Sequence, residues 1–294
     1  PCACSAMDGD AVRLAEVTRA SIVLPVAADV PAGPTAPLTL APGTAVRVMT
    51  GAALPEGTEG IVPVEWTDAG TETVTIDAAQ AATLAPGQYV RPAGEDVRRG
   101  ETVLRAGTRL TPRHIGVLAA VGRATAVVHP APRVVVVSTG SELVPPGNPL
   151  GYGQIHDSNG YALTAAAAEL GAVARYDSFV GDDEDDVARA IDAATRDADL
   201  VITSGGVSAG AYDPVKAVLR RAGDVWFGKV AMQPGMPQGA GTLLSQDGSR
   251  VPVLTLPGNP VSSMVSFEVF ARPVIRRLAG ETTLMRPSRR CVAE

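Results

Sequence analysis

Four short segments of Gly, Ser, Thr and Pro have the composition of loops that bind anions. They read S-T-G-S-E at 138–142, T-S-G-G-V-S at 203–208, Q-P-G-M-P at 233–237 and L-P-G-N-P at 256–260. Glycine lets backbone N–H groups approach an anion, and Ser and Thr add hydroxyl donors. One such loop is common in any α/β protein. Four of them, each following a predicted strand, favour a pocket for phosphate or another oxyanion.

The last loop also opens a predicted helix at P-V-S-S, residues 260–263. Free N–H groups at the start of a helix, together with the helix dipole, favour an anion at that position. The candidate ligand-binding residues of these loops are Ser138, Thr139, Gly140, Ser204, Gly205, Gly206, Pro257, Gly258, Asn259, Pro260 and Ser262.

Five carboxylates accompany the loops and two further turns. Glu142, Asp157 and Asp213 lie in or beside the loops, whereas Asp8 and Asp96 lie in the turn motifs S-A-M-D-G and G-E-D-V nearer the start of the chain. Acids around an anion pocket repel the ligand unless a cation lies between them, and Mg²⁺ pairs carboxylates with phosphates. We therefore expect Mg²⁺, with Glu142 and Asp213 as its ligands. The alternative for any single Asp, and for Asp157 in particular, is a helix cap or a turn residue.

The basic residues are almost all arginine, since Lys216 and Lys229 are the only lysines among 25 Lys and Arg. Both fall within the region of the four loops. Lysine is a compact point charge and arginine a planar fork, so a site shaped for one can reject the other. Solvated surface lysines are the alternative. Arg47 and Arg91 precede polar turns and are candidates for contact with a second anionic group.

Composition excludes several classes of protein. The chain has 25 Lys and Arg against 31 Asp and Glu, a formal charge of 25 − 31 = −6, which argues against nucleic-acid binding. No run of about 18 apolar residues predicts a membrane span. Three cysteines near the ends form no disulfide framework, which favours a reducing, cytoplasmic compartment.

The 294 residues show two main sequence patterns, one β-rich and one of alternating strands and helices, joined by a connector. Residues 1–97 show short β-prone runs between Pro and Gly breaks and predict a β-rich domain. Residues 98–131 form a connector with a helix opening at Thr111-Pro112, whose apolar residues suggest packing. Residues 132–281 alternate strands and helices, which predicts a doubly wound α/β domain with a single helix over about 260–278, kinked at Pro273. Residues 282–294 begin a further segment. The fold class is therefore a multidomain α+β protein.

The motifs taken together resemble the molybdopterin molybdenumtransferase family, to which the E domain of gephyrin is similar. Those motifs are S-A-M-D-G (5–9), M-T-G-A-x-L-P-E-G (49–57), G-E-D-V (94–97), V-V-S-T-G-S-E-L (136–143), G-Q-I-H-D-S-N (153–159), I-T-S-G-G-V-S-A-G (202–210), Y-D-P-V-K (212–216), F-G-K-V-A-M-x-P-G-x-P (227–237) and L-P-G-N-P-V-S (256–262). They follow the family order along nearly the whole chain.

The resemblance implies insertion of molybdate into adenylylated molybdopterin with release of AMP and with Mg²⁺ involved, in the last step of molybdenum-cofactor synthesis. It implies that 1–97 is an inserted β domain, that 98–131 belongs to an elongated first domain and that 282–294 begins a C-terminal β domain, with the chain truncated at both ends. It also implies a homodimer and contact with molybdopterin adenylyltransferase. By motif position, the functional residues are Asp8, Thr50, Arg91, Asp96, Glu142, Asp157, Asp213, Lys216, Lys229, Pro257 and Pro260.

The sequence departs from the family pattern at three places. Asp10 stands where the family commonly has Tyr, Ser141 replaces an acid before Glu142, and Gln233 and Met236 replace two lysines. Two other functions remain open at this point: a non-catalytic scaffold of the gephyrin kind, and a molybdopterin adenylyltransferase, whose fold is shared by residues 132–281 alone. The carboxylates and lysines disfavour the first, and the β domain disfavours the second.

Overall fold

The computed structural model describes residues 2–18, 22–181, 183–207 and 214–288, except for the side chains of 178–180. The chain divides into two compact units, Pro1–Arg105 and Ala106–Glu294. The boundary falls within the segment 98–131. Among the described residues, no helix has both the length and the apolar character needed to cross a membrane.

The described residues of the first unit form seven strands, one short α-helix and two 3₁₀ turns, Leu14–Glu16 and Val64–Trp66. A five-stranded sheet has the order β5-β2-β4-β3-β6, and β1 pairs separately with β7. The elements are β1 Cys4–Ser5, β2 Gly9–Val12, β3 Ile22–Val30, β4 Ala45–Val48, β5 Gly60–Pro63, β6 Thr73–Ile76, α1 Ala78–Ala81 and β7 Val90–Arg91. Strands β3 and β4 are parallel, and the other pairs are antiparallel.

Both faces of this sheet are buried at β2, β4 and β5, so successive residues of these strands serve different cores, whereas β6 alternates buried and exposed residues. In β2, Ala11 packs with Val46 and Ile61, whereas Val12 packs with Val62 and the apolar residues around α1. The near-absence of aromatic side chains is compatible with this arrangement because small aliphatic residues fill two thin layers.

The second unit contains a six-stranded sheet of order β11-β8-β12-β15-β14-β13. Its elements, with those that precede the sheet, are α2 Pro112–Ala120, β8 Arg133–Thr139, β9 Leu143–Val144, β10 Ile155–His156, α3 Asn159–Glu169, β11 Val173–Val180, α4 Glu184–Thr195, β12 Leu200–Ser204, α5 Pro214–Ala222, β13 Gly223–Lys229, β14 Pro237–Leu244, β15 Arg250–Leu256, α6 Pro260–Ser266 and α7 Arg272–Leu278. Strands β11, β8, β12 and β15 are parallel, as predicted for a doubly wound domain.

Helices cover both faces of the sheet. Val134 and Val136 of β8 pack against α3, α6 and α7, while Val135 and Val137 pack against α4 and α5. The uninterrupted β-branched run therefore corresponds to a strand buried on both sides, as the sequence indicates. The predicted α/β fold is confirmed.

Strand β14 is absent from the sequence-based prediction. Its residues are P-Q-G-A-G-T-L-L, which carry few β-branched side chains. The glycines leave room for the neighbouring strand: a Cβ at Gly241 would overlap the Asp224 carbonyl oxygen, and one at Gly239 would lie 2.7 Å from Cε1 of Phe227. Strand β14 is antiparallel to both β13 and β15, so β13 runs in the same direction as the parallel strands.

Two helical predictions need correction. None of the residues of α2 is buried, and Ile115 is 54% exposed, so the predicted packing of this helix is not present within the described residues. His114 completes its capping box, since Nδ1 accepts from the Thr111 N–H at 3.1 Å. The predicted single helix over 260–278 is interrupted by a π-helical turn, Phe267–Ala271, directly before Pro273. Proline supplies no N–H to the preceding turn, and the helix widens there.

Asp10 is a buried carboxyl in β2, only 3% exposed, and its Oδ1 has no hydrogen-bond partner among the described residues. Arg47 lies opposite in β4 and Asp29 lies beyond it in β3. The Arg47 guanidinium is held by other groups: Nη2 donates to the carbonyls of Ala69 and Gly70 at 3.2 and 3.0 Å, and Nη1 is 3.8 Å from Asp29 Oδ2. Burial raises the pKa of Asp10 to about 6; Arg47 opposes this shift, and the charges on Asp68 and Asp29 add to it.

We predict that the first unit loses stability as the pH rises through about 6. The folded-state pKa of Asp10 lies above the unfolded value, so its contribution is complete below the unfolded pKa and is lost as the folded form ionises. Between about pH 5 and pH 7.5 the free energy of unfolding should fall by about 1.4 kcal/mol. Asp10→Asn should remove this slope. The measurement is urea unfolding followed by Trp66 fluorescence in a Trp226→Phe background.

Asp29→Asn is the matched control, because it removes an exposed carboxylate from the same row of residues and leaves Asp10 in place. This variant should retain the pH slope. A slope of equal size in the Asp10→Asn protein would assign the pH dependence to another group.

Candidate active site

Three of the four loops lie together at one edge of the second unit's sheet. The strands β8, β12 and β15 are parallel, so the loops that follow them leave the sheet at their common carboxyl edge. The fourth loop is the turn between β13 and β14. Because Lys229 pairs with Pro237, this turn lies at the same edge. The sequence therefore placed all four loops on the correct side of the sheet.

The loops after β8, β12 and β15 meet at Gly205. The Gly205 N–H donates to the Leu256 carbonyl at 3.0 Å, and a Cβ at Gly205 would lie 2.6 Å from the Thr139 carbonyl oxygen. Gly205 has φ +96°, a backbone conformation that residues other than glycine rarely adopt. Gly258 is also close, since its missing Cβ would be 3.8 Å from Gly205 Cα. Glycine is required here for both the backbone conformation and the contact.

Asn159, at the start of α3, joins two of these loops. Its Nδ2 donates to Ser204 Oγ at 2.8 Å and to the Gly258 carbonyl at 2.7 Å. Asn159 belongs to the motif at 153–159 but is not among the site residues predicted from the sequence. The sequence pattern does indicate this role, because an Asn at the start of a helix that follows a strand-end loop can reach neighbouring loops.

The loop after β15 satisfies part of its own hydrogen bonding. Asn259 caps α6, its Oδ1 accepting from the Ser262 N–H at 3.1 Å, and Pro260 occupies the first turn. The Ser262 N–H was predicted to be free for an anion and is instead engaged by this cap. Pro257 and Gly258 lie between β15 and α6.

Glu142 is exposed and folds back over Gly140, where a Cβ would lie 2.8 Å from Glu142 Cδ. Asp213, the second predicted Mg²⁺ ligand, lies outside the described residues, as does Ser208 at the end of the second loop. In the part of the chain that the structure describes, no three His, Cys, Asp or Glu side chains form a cluster able to hold a metal ion. Glu142 is thus the one described carboxylate of the predicted pair, and it is accessible.

Asp157 is 2% exposed, and both of its oxygens are engaged by the protein. Oδ1 accepts from the Gly160 N–H at 3.1 Å in the first turn of α3, and Oδ2 accepts from the Tyr176 hydroxyl. The geometry is that of a helix cap held from two sides, which was the alternative interpretation of this residue.

The two lysines lie in different environments. Lys229 is exposed at the end of β13 and so belongs to the loop edge of the sheet. Lys216 is half-buried on α5, with Nζ 6.0 Å from the centroid of the Phe227 ring. The turn after Lys229 is supported by buried Gln238, whose Nε2 donates to the Gly235 carbonyl at 2.7 Å and to Ser266 Oγ at 2.6 Å.

The first unit brings two of the predicted residues, Asp8 and Thr50, together. Asp8 Oδ1 accepts from the Thr50 N–H at 2.6 Å and from Thr50 Oγ1 at 2.9 Å. These hydrogen bonds, the backbone one first, hold the pKa of the Asp8 carboxyl below its usual range. Arg91 lies on β7, paired with Cys4 of the strand that leads into the Asp8 turn. Asp96 is exposed in the segment that follows β7.

Comparison with known proteins agrees with both units. A family model described as "MoeA N-terminal region (domain I and II)" matches residues 1–122, and one described as "Probable molybdopterin binding domain" matches residues 135–277. The chain is 50% identical, over 98% of its length and 71% of the relative's, to "Molybdopterin molybdenumtransferase 2" of Mycobacterium tuberculosis. The chain belongs to the molybdopterin molybdenumtransferase family.

Other members of the molybdopterin molybdenumtransferase family are more distant but similar over comparable lengths. A relative from Haemophilus influenzae is 39% identical over 96% of the chain and 68% of its own length. Among solved structures, a molybdopterin biosynthesis MoeA protein from Pyrococcus horikosii superposes with a TM-score of 0.75 at 32% identity, covering 95% of this chain and 69% of that one. These matches confirm the family and the fold that the motifs indicate.

We predict that Gly205→Ala lowers the free energy of unfolding of the second unit by about 3 kcal/mol, because the new Cβ meets the Thr139 carbonyl and the backbone is left-handed. Gly248→Ala is the matched control. It has φ +83° with nothing within 4 Å of the added Cβ, so it should cost about 1 kcal/mol. Urea unfolding followed by Trp226 fluorescence in a Trp66→Phe background measures both. Equal losses in the two variants would contradict the close approach at Gly205.

Proposed function

We propose that this protein inserts molybdate into adenylylated molybdopterin and releases AMP, in the last step of molybdenum-cofactor synthesis. Water cleaves the phosphoanhydride bond that links AMP to molybdopterin, so AMP leaves as a phosphate monoester. The two dithiolene sulfurs of the pterin replace oxygen atoms of molybdate, which leave as water, with no change in oxidation state. The observation that supports this most is the convergence of three small-residue loops at Gly205, in a chain 50% identical to a relative named for this transfer.

The loops suit a ligand with several phosphate oxygens. Backbone N–H groups of glycine-rich turns and short hydroxyl side chains can surround such oxygens without bringing in competing negative charge. Lys229 is exposed at the same edge and supplies a cation. Ser138 and Thr139 end β8 and are 0% and 7% exposed, and Gly140 is buried, so these residues would form the base of the first loop. Pro257 and Pro260 would hold the backbone of the last one.

Mg²⁺ is part of the proposal. This ion usually keeps several waters and is held by one or two carboxylates together with substrate phosphates, so a preformed cage of three carboxylates is not required. Accessible Glu142 fits such a role, and Asp213 is its proposed companion. When bound, the ion would neutralise phosphate charge beside the carboxylates. The chain itself contributes the loop donors and Lys229.

The first unit's polar group is proposed to act on the same substrate. Asp8, Thr50, Arg91 and Asp96 lie in a unit of their own, and we propose a homodimer in which the first unit of one subunit completes the site of the other. Two-fold symmetry would then create this shared site twice. Cytoplasmic location and contact with molybdopterin adenylyltransferase, as the source of the adenylylated substrate, complete the proposal.

We predict that Lys229→Ala abolishes most AMP release with little change in stability. Loss of a cation that contacts a bound anion typically costs several kcal/mol of binding or transition-state energy, whereas surface changes cost under about 0.5 kcal/mol. The assay measures release of AMP from adenylylated molybdopterin in the presence of molybdate and Mg²⁺. Parallel reactions omit molybdate or Mg²⁺. Arg250→Ala is the matched control, since Arg250 is also exposed but begins β15 at the opposite edge of the sheet.

Wild-type turnover in the Lys229→Ala protein would remove Lys229 from the site. A wild-type protein that never releases AMP would contradict the transferase function itself and favour a scaffold. Formation of adenylylated molybdopterin from ATP would instead favour an adenylyltransferase.

We also predict that two inactive variants complement each other. Asp8→Ala breaks the group in the first unit, and Lys229→Ala breaks the pocket in the second. If each site draws on two subunits, one of the two sites in a mixed dimer is intact, and activity should return to about half per mixed dimer. Mass spectrometry counts the mixed dimers, and AMP release measures the activity. Mixed dimers with background activity would place each site within one chain.

A further inference from the structure

Tyr176 lies on β11, outside the four loops, and is half-buried. Its hydroxyl donates to Asp157 Oδ2, and its ring centroid is 5.1 Å from that of Tyr161. The ring also fills the space beside Gly160, where a Cβ would lie 2.7 Å from Tyr176 Cζ. An aromatic side chain on the edge strand is therefore packed against the first turn of α3.

The hydroxyl of Tyr176 is kept as a donor. Burial first, and then the hydrogen bond to Asp157 and its negative charge, raise the pKa of Tyr176, while the neighbouring Ser138 hydroxyl acts in the opposite direction. Across the pH range in which proteins are normally assayed, the proton stays on the tyrosine, and Asp157 receives it as a hydrogen bond.

Asp157 is fixed from two sides as a result. One oxygen is tied to β11 through Tyr176, and the other caps α3 through the Gly160 N–H at 3.1 Å. Asn159 lies between Asp157 and Gly160 in the sequence. Its side-chain amide donates to Ser204 Oγ at 2.8 Å and to the Gly258 carbonyl at 2.7 Å. A small rotation of the first turn of α3 would move that amide out of hydrogen-bonding range of both loops.

We propose that Tyr176 is a positioning residue for the anion pocket: acting through Asp157, it orients the first turn of α3 so that Asn159 ties the loops after β12 and β15 together. The inference rests on the proposed function, since it takes this pocket to be the site of adenylylated molybdopterin. It makes Asp157 a part of the support for the loops, and Tyr176 a residue that shapes substrate affinity without touching the substrate.

The test compares Tyr176→Phe with Tyr161→Phe. Each removes one hydroxyl from the same pair of neighbouring rings, and Tyr161 makes no side-chain hydrogen bond among the described residues. In Tyr176→Phe, amide exchange at Gly205, whose N–H crosses to Leu256, should be about tenfold faster. The dissociation constant for adenylylated molybdopterin should rise about tenfold, as for one lost hydrogen bond to a charged group, with kcat nearly unchanged. Tyr161→Phe should match the wild type in amide exchange at Gly205, in the dissociation constant and in kcat.

The second measurement tests whether Asn159 transmits the effect. In an Asn159→Ala background, Tyr176→Phe should weaken binding no further, because the tie to the loops is already lost. Fully additive losses would overturn the proposal, and so would faster exchange confined to α3. Unchanged exchange at Gly205 overturns it whether or not the pterin binds. A wild-type protein that binds no adenylylated molybdopterin would contradict the proposed function, while the exchange data would still decide the role of Tyr176.

Discussion

The close backbone approach at Gly205 determines where the other groups of the second unit's site can lie. Its N–H bonds the end of β15, and its Cα faces the end of β8, so three strand ends are held within contact of one another. No side chain fits at this point. The donors of the neighbouring loops must therefore be backbone amides and the short side chains around them, which suits an oxyanion better than a bulky apolar ligand.

In the first unit, a carboxylate rather than a glycine holds two turns close together. Asp8 accepts two hydrogen bonds from Thr50, and these join the turn before β2 to the turn after β4. Two residues further along the strand, Asp10 is buried without a partner for Oδ1. One carboxylate thus strengthens the turn before β2, and another within β2 lowers stability when it ionises. The second stands where the resembled family commonly has an aromatic side chain.

Much of the second unit could be predicted from sequence because its signals are local. The run of Val134 to Val137 specifies a strand buried on both faces, and glycine-rich segments specify the loops at its end. What sequence could not supply were the contacts between elements. Tyr176 is 19 residues from Asp157, and Asn159 is 99 residues from Gly258. Strand β14 was missed for a related reason: its glycines are explained only by the neighbouring strands that approach them.

The charges of the site distinguish two ways of binding an anion. Of the second unit's carboxylates that sequence singled out, Asp157 has both oxygens occupied by donors of the protein, so the described part of that unit's loops presents Glu142 as its accessible acid. Lysines at the two family positions are replaced by Gln233 and Met236, in a chain of net charge −6. Positive charge is therefore scarce where the proposed substrate carries most of its negative charge. In the proposed function, binding would then depend on Lys229 together with the neutral donors that the loops hold, so residues that only support the loops, such as Asn159, would carry functional weight.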